Sequence, residues 1–138
     1  MGCEDVLWVY GHPNIRATHH STIEFTKDSF CTLRGNCILG VKASKSVADL
    51  NEELKAEIRK GRKVWVRISC GGFTDELYGF GSRKLELKDP RSMVIRKSGF
   101  IDSRTLLINA NKSAKDIDRK LVRKMMDPRS RALVEIYV

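Results

Sequence analysis

The chain is 138 residues long, 41% hydrophobic and 31% charged, with a formal net charge of +9. That balance predicts one globular domain over residues 1–138 and excludes overall disorder. No apolar run approaches the roughly 18–20 residues of a membrane span, and Glu4 and Asp5 stand where a secretory leader carries positive charge, so no membrane partner and a cytoplasmic location are expected.

The first apolar stretch, with Trp8 in a strand, stops at Gly11-His12-Pro13-Asn14. Glycine and asparagine allow unusual backbone angles there, and proline stiffens the turn. From Ile15 the pattern alternates: Ile15, Ala17, His19, Ser21, Ile23 and Phe25 share one predicted strand face, and Arg16, Thr18, His20, Thr22 and Glu24 the other. A turn at Arg34-Gly35-Asn36 leads into an apolar strand, Cys37 to Val41. Ser46 then caps a predicted helix, with Asp49 three residues on and Val47, Leu50, Leu54 and Ile58 on one face until Gly61. Val64 to Ile68 alternates again as a strand, and Cys70-Gly71-Gly72 reads as a linker. Further strands are expected at Leu77–Phe80, Met93–Ile95 and Leu106–Ile108. A second helix starts at Ser113, carries Ile117, Leu121 and Met125, and stops at Asp127-Pro128, before a last strand from Ala132 to Ile136.

The two helical segments match. Ala43 to Leu50 lies 67 residues before Ala110 to Ile117, and five of the 17 pairs from 43/110 to 59/126 are identical, against about one by chance. A shift of 68 then superposes Val64–Ile68 on Ala132–Ile136 and Tyr10-Gly11 on Tyr78-Gly79. The chain therefore reads as two repeats, about residues 3–70 and 71–138. By that shift His12, His19 and His20 face Phe80, Leu87 and Lys88, so the second unit does without imidazole. Duplicated ββαβ units with a Gly-Asn turn are similar to cradle-loop barrels. The expected fold is thus α+β and β-rich, one closed or partly open barrel, with an α+β sandwich of antiparallel sheet and two helices as the alternative.

With Gly11-His12-Pro13-Asn14-Ile15-Arg16-Ala17-Thr18-His19 and Arg34-Gly35-Asn36-Cys37-Ile38-Leu39-Gly40-Val41 in view, the chain resembles the archaeal proteins grouped as domain of unknown function 371. The resemblance covers essentially the whole length, with Asn36 where Asp is expected in the turn. It implies an archaeal, cytoplasmic protein and no particular reaction.

The four cysteines, Cys3, Cys31, Cys37 and Cys70, form no C-x-x-C pair and read as reduced thiols rather than zinc ligands. No phosphate-loop, dinucleotide, zinc-protease or nucleophile-elbow motif is present, so no cofactor is named. All three histidines fall within nine residues. His19 sits on an otherwise apolar face, where an imidazole needs a hydrogen-bond partner or a pocket wall. His12 and His19 are accordingly the candidate acid–base residues, and Gly11, Asn14, Arg16, Thr18, His20, Gly35 and Asn36 the candidate ligand contacts. Charge divides unevenly, 11 Lys/Arg against 8 Asp/Glu in residues 1–70 and 15 against 9 in residues 71–138. Such a surface attracts polyanions, and Arg62, Lys63, Lys120, Arg123 and Lys124 are the candidate nucleic-acid contacts. Three functions are open at this point. They are a binding module for RNA or an anionic, nucleotide-like small molecule, a small enzyme using His12 and His19, and a scaffold subunit of a larger assembly.

Overall fold

The computed structural model describes residues 3–138. Strands β1 (Glu4–Tyr10), β2 (Thr22–Thr26) and β3 (Ile38–Gly40) precede helix α1 (Glu52–Arg59) and strand β4 (Lys63–Cys70). The same order follows with β5 (Phe73–Phe80), β6 (Ser92–Arg96), β7 (Thr105–Leu107), α2 (Arg119–Met125) and β8 (Arg131–Tyr137). Each half thus holds three strands before its helix, one more than a ββαβ unit.

The strands form two four-stranded sheets, ordered β1-β8-β4-β5 and β3-β2-β6-β7. Burial alternates residue by residue along β1, β4 and β8, as period-two side chains require when one sheet face is covered. The covered faces supply Leu7, Val9, Val66, Ile68, Val134 and Ile136 from the first sheet, and Ile23, Phe25, Met93 and Ile95 from the second. Leu54 and Ile58 of α1 and Leu121 and Met125 of α2 join the same cluster, each contributing about 2 kcal/mol by leaving water.

No sheet closes into a barrel, which corrects the barrel expectation; the layered α+β sandwich is the arrangement found. Among the described residues the sheet edges share two isolated bridges, Tyr10–Val41 and Phe80–Ile108. Lys42 and Asn109, directly after each bridge, break the ladder at φ 51°, and beyond them the Ser44 amide reaches the Trp8 carbonyl at 2.9 Å and the Asn111 amide the Tyr78 carbonyl at 3.0 Å. Tyr10 and Val41 therefore exchange a single pair of backbone bonds, of 2.7 and 2.8 Å.

Three local expectations change as well. The helix predicted from Val47 is two pieces, a 3₁₀ turn at Val47–Asp49 and then α1, because Leu50 and Asn51 are extended. Asp49 still bonds back to the Ser46 amide at 2.8 Å, while Asn51 caps α1 by accepting from the Leu54 amide. The long strand from Ile15 shortens to β2, since Ala17 sits at φ 49°, yet Ile15 and Ala17 are fully buried as their alternation implied. Cys70-Gly71-Gly72 is no linker: Cys70 pairs with Phe73, and both glycines take the positive φ that a two-residue hairpin turn demands.

One carboxylate per half, buried at Asp5 and largely covered at Asp75, ties sheet to helix. Asp5, 8% exposed, accepts Lys45 Nζ at 2.5 Å and the Asn51 amide at 2.8 Å. Asp75 does the same with Lys112 Nζ at 2.6 Å and the Asp118 amide at 2.8 Å. Burial raises the Asp5 pKa, but the bonds from Lys45, Asn51 and Val6 outweigh it and the net shift is downward. A folded pKa below the unfolded value gives stability that is complete above the unfolded value and lost as pH falls through the folded one. Asp49, held at about 2 chiefly by Lys27, acts in the same direction. Acid titration followed by circular dichroism should therefore show stability falling between about pH 4 and pH 2. Asp5→Asn should cost about 1.5–3 kcal/mol in urea unfolding at pH 7, because Lys45 loses its charged acceptor.

Candidate functional site

The segment from Gly11 to His20 crosses the foot of β1 and runs back along α2. The His12 amide donates to the Met125 carbonyl at 2.9 Å, at the C-terminal end of the helix, and the Gly11 amide to the Ser130 carbonyl at 3.0 Å, just before β8. At the other end the Lys115 amide donates to the His19 carbonyl at 3.1 Å, and Arg119 donates to the Ala17 carbonyl at 3.0 Å. Gly11 is dictated by contact: a Cβ there would lie 2.1 Å from the Asp127 carbonyl oxygen. Gly81 has the matching role against Ile58 in the other half, where the gap is 1.7 Å.

Hydrogen bonds that recur in both halves reset the alignment before the helices. The Lys115 amide bonds the His19 carbonyl as the Ala48 amide bonds the Asp89 carbonyl, so the offset here is 70 residues and not 68. His12, His19 and His20 therefore correspond to Ser82, Asp89 and Pro90, and the comparison with Phe80, Leu87 and Lys88 falls. The corrected partners are informative. His12 Nδ1 accepts from the Asn14 amide at 3.0 Å, as Ser82 Oγ accepts from the Lys84 amide at 3.2 Å. His19 Nδ1 accepts from the Ser21 amide at 3.1 Å, as Asp89 accepts from Arg91 and Ser92. Each imidazole does the work of a short turn-capping side chain.

His19 is half-buried, and burial followed by the neighbouring charge of His20 holds its pKa below the ordinary value. The two rings stack with centroids 5.0 Å apart. Asn14 reaches the Cys31 carbonyl at 3.0 Å, and Arg16 folds back onto the Pro13 carbonyl at 2.8 Å. Asn36 contributes through its carbonyl, which accepts from the Thr18 and His19 amides, while Gly35 opens its turn against Ile38. Seven of these nine residues lie in the Gly11–His20 segment, the other two in the turn bonded to it, and the polar side chains of His12, Asn14, Arg16 and His19 engage nearby backbone.

The five candidate nucleic-acid contacts divide. Lys120, Arg123 and Lys124 converge on a cleft of about 480 Å³, completed by Phe73, Asp127 and Ser130. None of the three cations forms an ion pair among the described residues. Lys124 Nζ lies 5.9 Å from the Phe73 ring, and Asp127 is itself paired with Arg129 at 3.0 Å. Arg62 and Lys63 lie at the other end of β4, about 20 Å away at 3.3 Å per residue. Arg62 is spent on Glu57 at 2.6 Å. Phe73 and Ser130 carried no sequence signal, since only the hairpin turn brings the first to α2.

Elsewhere the second sheet carries a polar knot. Glu24 accepts from Ser92 at 3.1 Å and from the Cys37 thiol at 3.6 Å, with Arg104 at 3.8 Å. Burial, then Glu24, pushes the Cys37 thiol up to about 12, so it stays protonated and unreactive. Among the described residues no group of three or more His, Cys, Asp or Glu side chains is placed to hold a metal ion. None of their helices is long and apolar enough to cross a membrane.

The histidine turn gives a direct expectation. His19→Asp, copying Asp89, should leave stability at pH 7 within about 1 kcal/mol of the parent, whereas His19→Ala should lose about 1 kcal/mol with its cap. The parent should also lose stability as pH falls below about 6.5, because the folded imidazole resists protonation, and His19→Asp should lack that step in urea melts.

The family described as "Domain of unknown function (DUF371)" matches residues 7–138. The chain is also similar to "Uncharacterized protein MJ0206" of Methanocaldococcus jannaschii, at 46% identity over 124 residues. That alignment takes in 90% of this chain and 92% of the relative.

Proposed function

The chain belongs to the domain of unknown function 371 family, and on that footing we propose that it is a binding module for an anionic partner, RNA or a nucleotide-like ligand. One observation supports this most: three cations without carboxylate partners face a cleft whose wall includes an aromatic ring. Cations left unpaired beside an open cleft repel one another and are stabilised by an incoming phosphate. Phe73 offers a π-face on which a base or sugar can rest.

The contrast between the helices adds weight. Helix α1 carries Glu52, Glu53 and Glu57 against Lys55 and Arg59, whereas α2 carries Arg119, Lys120, Arg123 and Lys124 with no acid. Two helices in equivalent places thus differ in sign, which solubility alone does not require. Lys120, Arg123 and Lys124 hold the phosphates in this reading, and the Gly11–His12 backbone fixes the helix that presents them.

Fluorescence anisotropy of a labelled RNA strand at several salt concentrations tests the reading. Affinity should fall with salt, and Lys120→Ala/Arg123→Ala/Lys124→Ala should make the log–log slope shallower by about 2, at 0.7 per phosphate contact. Arg62→Ala should change little. A parent protein that ignores salt, or a triple variant with the parent's slope, would refute cleft binding.

A further inference from the structure

The outward face of the β1-β8-β4-β5 sheet holds both tryptophans and two of the three tyrosines. Trp8, Trp65, Tyr78, Phe80 and Tyr137 alternate with buried neighbours along their strands and stand outside the core cluster. Trp65 opposes Tyr78 on one side and Tyr137 on the other, while Trp8 lies four residues further along the same face, opposite Leu133. Trp8 is 37% exposed and Val6 beside it 40%. A strand face meant only for water carries threonine and charge throughout, so aromatic side chains grouped at both ends of a charged centre mark a contact surface.

The cations on this face narrow the occupant. Lys63 Nζ sits 4.0 Å from the Tyr78 ring centroid and 4.8 Å from that of Trp65, and the Arg131 guanidinium sits 4.0 Å from Trp8. Neither forms an ion pair among the described residues, whereas Arg67, in the middle, is held by Glu76 and Glu135. An apolar protein surface would satisfy the rings and leave Lys63 and Arg131 desolvated. A nucleic-acid strand satisfies both, with bases for the rings and phosphates for the cations.

We propose that this face stacks unpaired bases of a single nucleic-acid strand on Trp8, Trp65 and Tyr78, with Lys63 and Arg131 passing from the rings to the flanking phosphates. The proposal rests on the anionic-partner reading and names its partner, while placing the bases on a surface the cleft does not include. Three strand spacings separate β1 from β5, about 14 Å. Four-stranded platforms of this width stack two or three bases.

Because both tryptophans lie on the face, intrinsic emission reports its occupancy. The full chain is titrated with a single strand of about ten nucleotides, with the same sequence as a duplex, and with tripolyphosphate. The strand should quench tryptophan emission and the duplex should bind more weakly. Trp8→Ala and Tyr78→Ala should each weaken strand binding about tenfold while sparing tripolyphosphate. Lys63→Glu/Arg131→Glu, two exposed changes, serves if an aromatic deletion lowers the melting temperature, and should weaken the strand likewise. Equal binding of strand and duplex overturns the platform. So does strand binding that leaves emission and all these affinities unchanged, or tripolyphosphate binding with none of the strand, and in those two cases the cleft reading survives. Loss of both ligands from the parent chain removes the two readings together.

Discussion

The arrangement depends on a carboxylate near the start of an outer strand, largely covered by the groups it binds. Asp75 takes the ammonium of Lys112 and the amide of Asp118 together, so the loop before α2 and the first residue of its cap are pinned to one point on β5. Asp5 holds α1 to β1 in the same way. Without these bonds the short helices, of eight and seven residues, are too brief to hold their own position. With them, Lys120, Arg123 and Lys124 stand at a set distance from the hairpin that carries Phe73. Placement of the positive surface is therefore decided by a negative charge already engaged within the fold.

Much of the fold was legible because burial obeys period. Val64–Ile68 and Ala132–Ile136 alternate in the sequence and become neighbouring strands β4 and β8, and the Ser46/Asp49 and Ser113/Asp116 pairs mark real helical starts. The breaks at Leu50-Asn51 and Ile117-Asp118 were hidden, since apolar spacing continues through them and only the distant Asp5 and Asp75 reveal where those amides go. Barrel closure failed for a similar reason. Lys42 and Asn109 look like ordinary strand extensions until their positive φ is seen.

The site was harder to read than the fold. A misplaced offset of two residues set His12 and His19 against apolar partners and made them look exceptional, whereas Ser82 and Asp89 show that the scaffold asks for a small acceptor there. The aromatic side chains are few in number, and counting them hides their distribution. Strand alternation combined with the β4–β5 and β4–β8 pairings collects Trp65, Tyr78 and Tyr137 in one place from residues far apart in the chain.

The close approach of Gly11 to the last turn of α2 has a dynamic corollary. A helix whose end carbonyls lie against bare backbone cannot slide along its axis or roll toward the hairpin without collision. The corner between α2 and the β4–β5 turn is therefore shaped before anything arrives, and little ordering entropy is left to be lost on contact. Association at such a preset corner is governed by encounter, with long-range attraction setting its speed and no rearrangement delaying it.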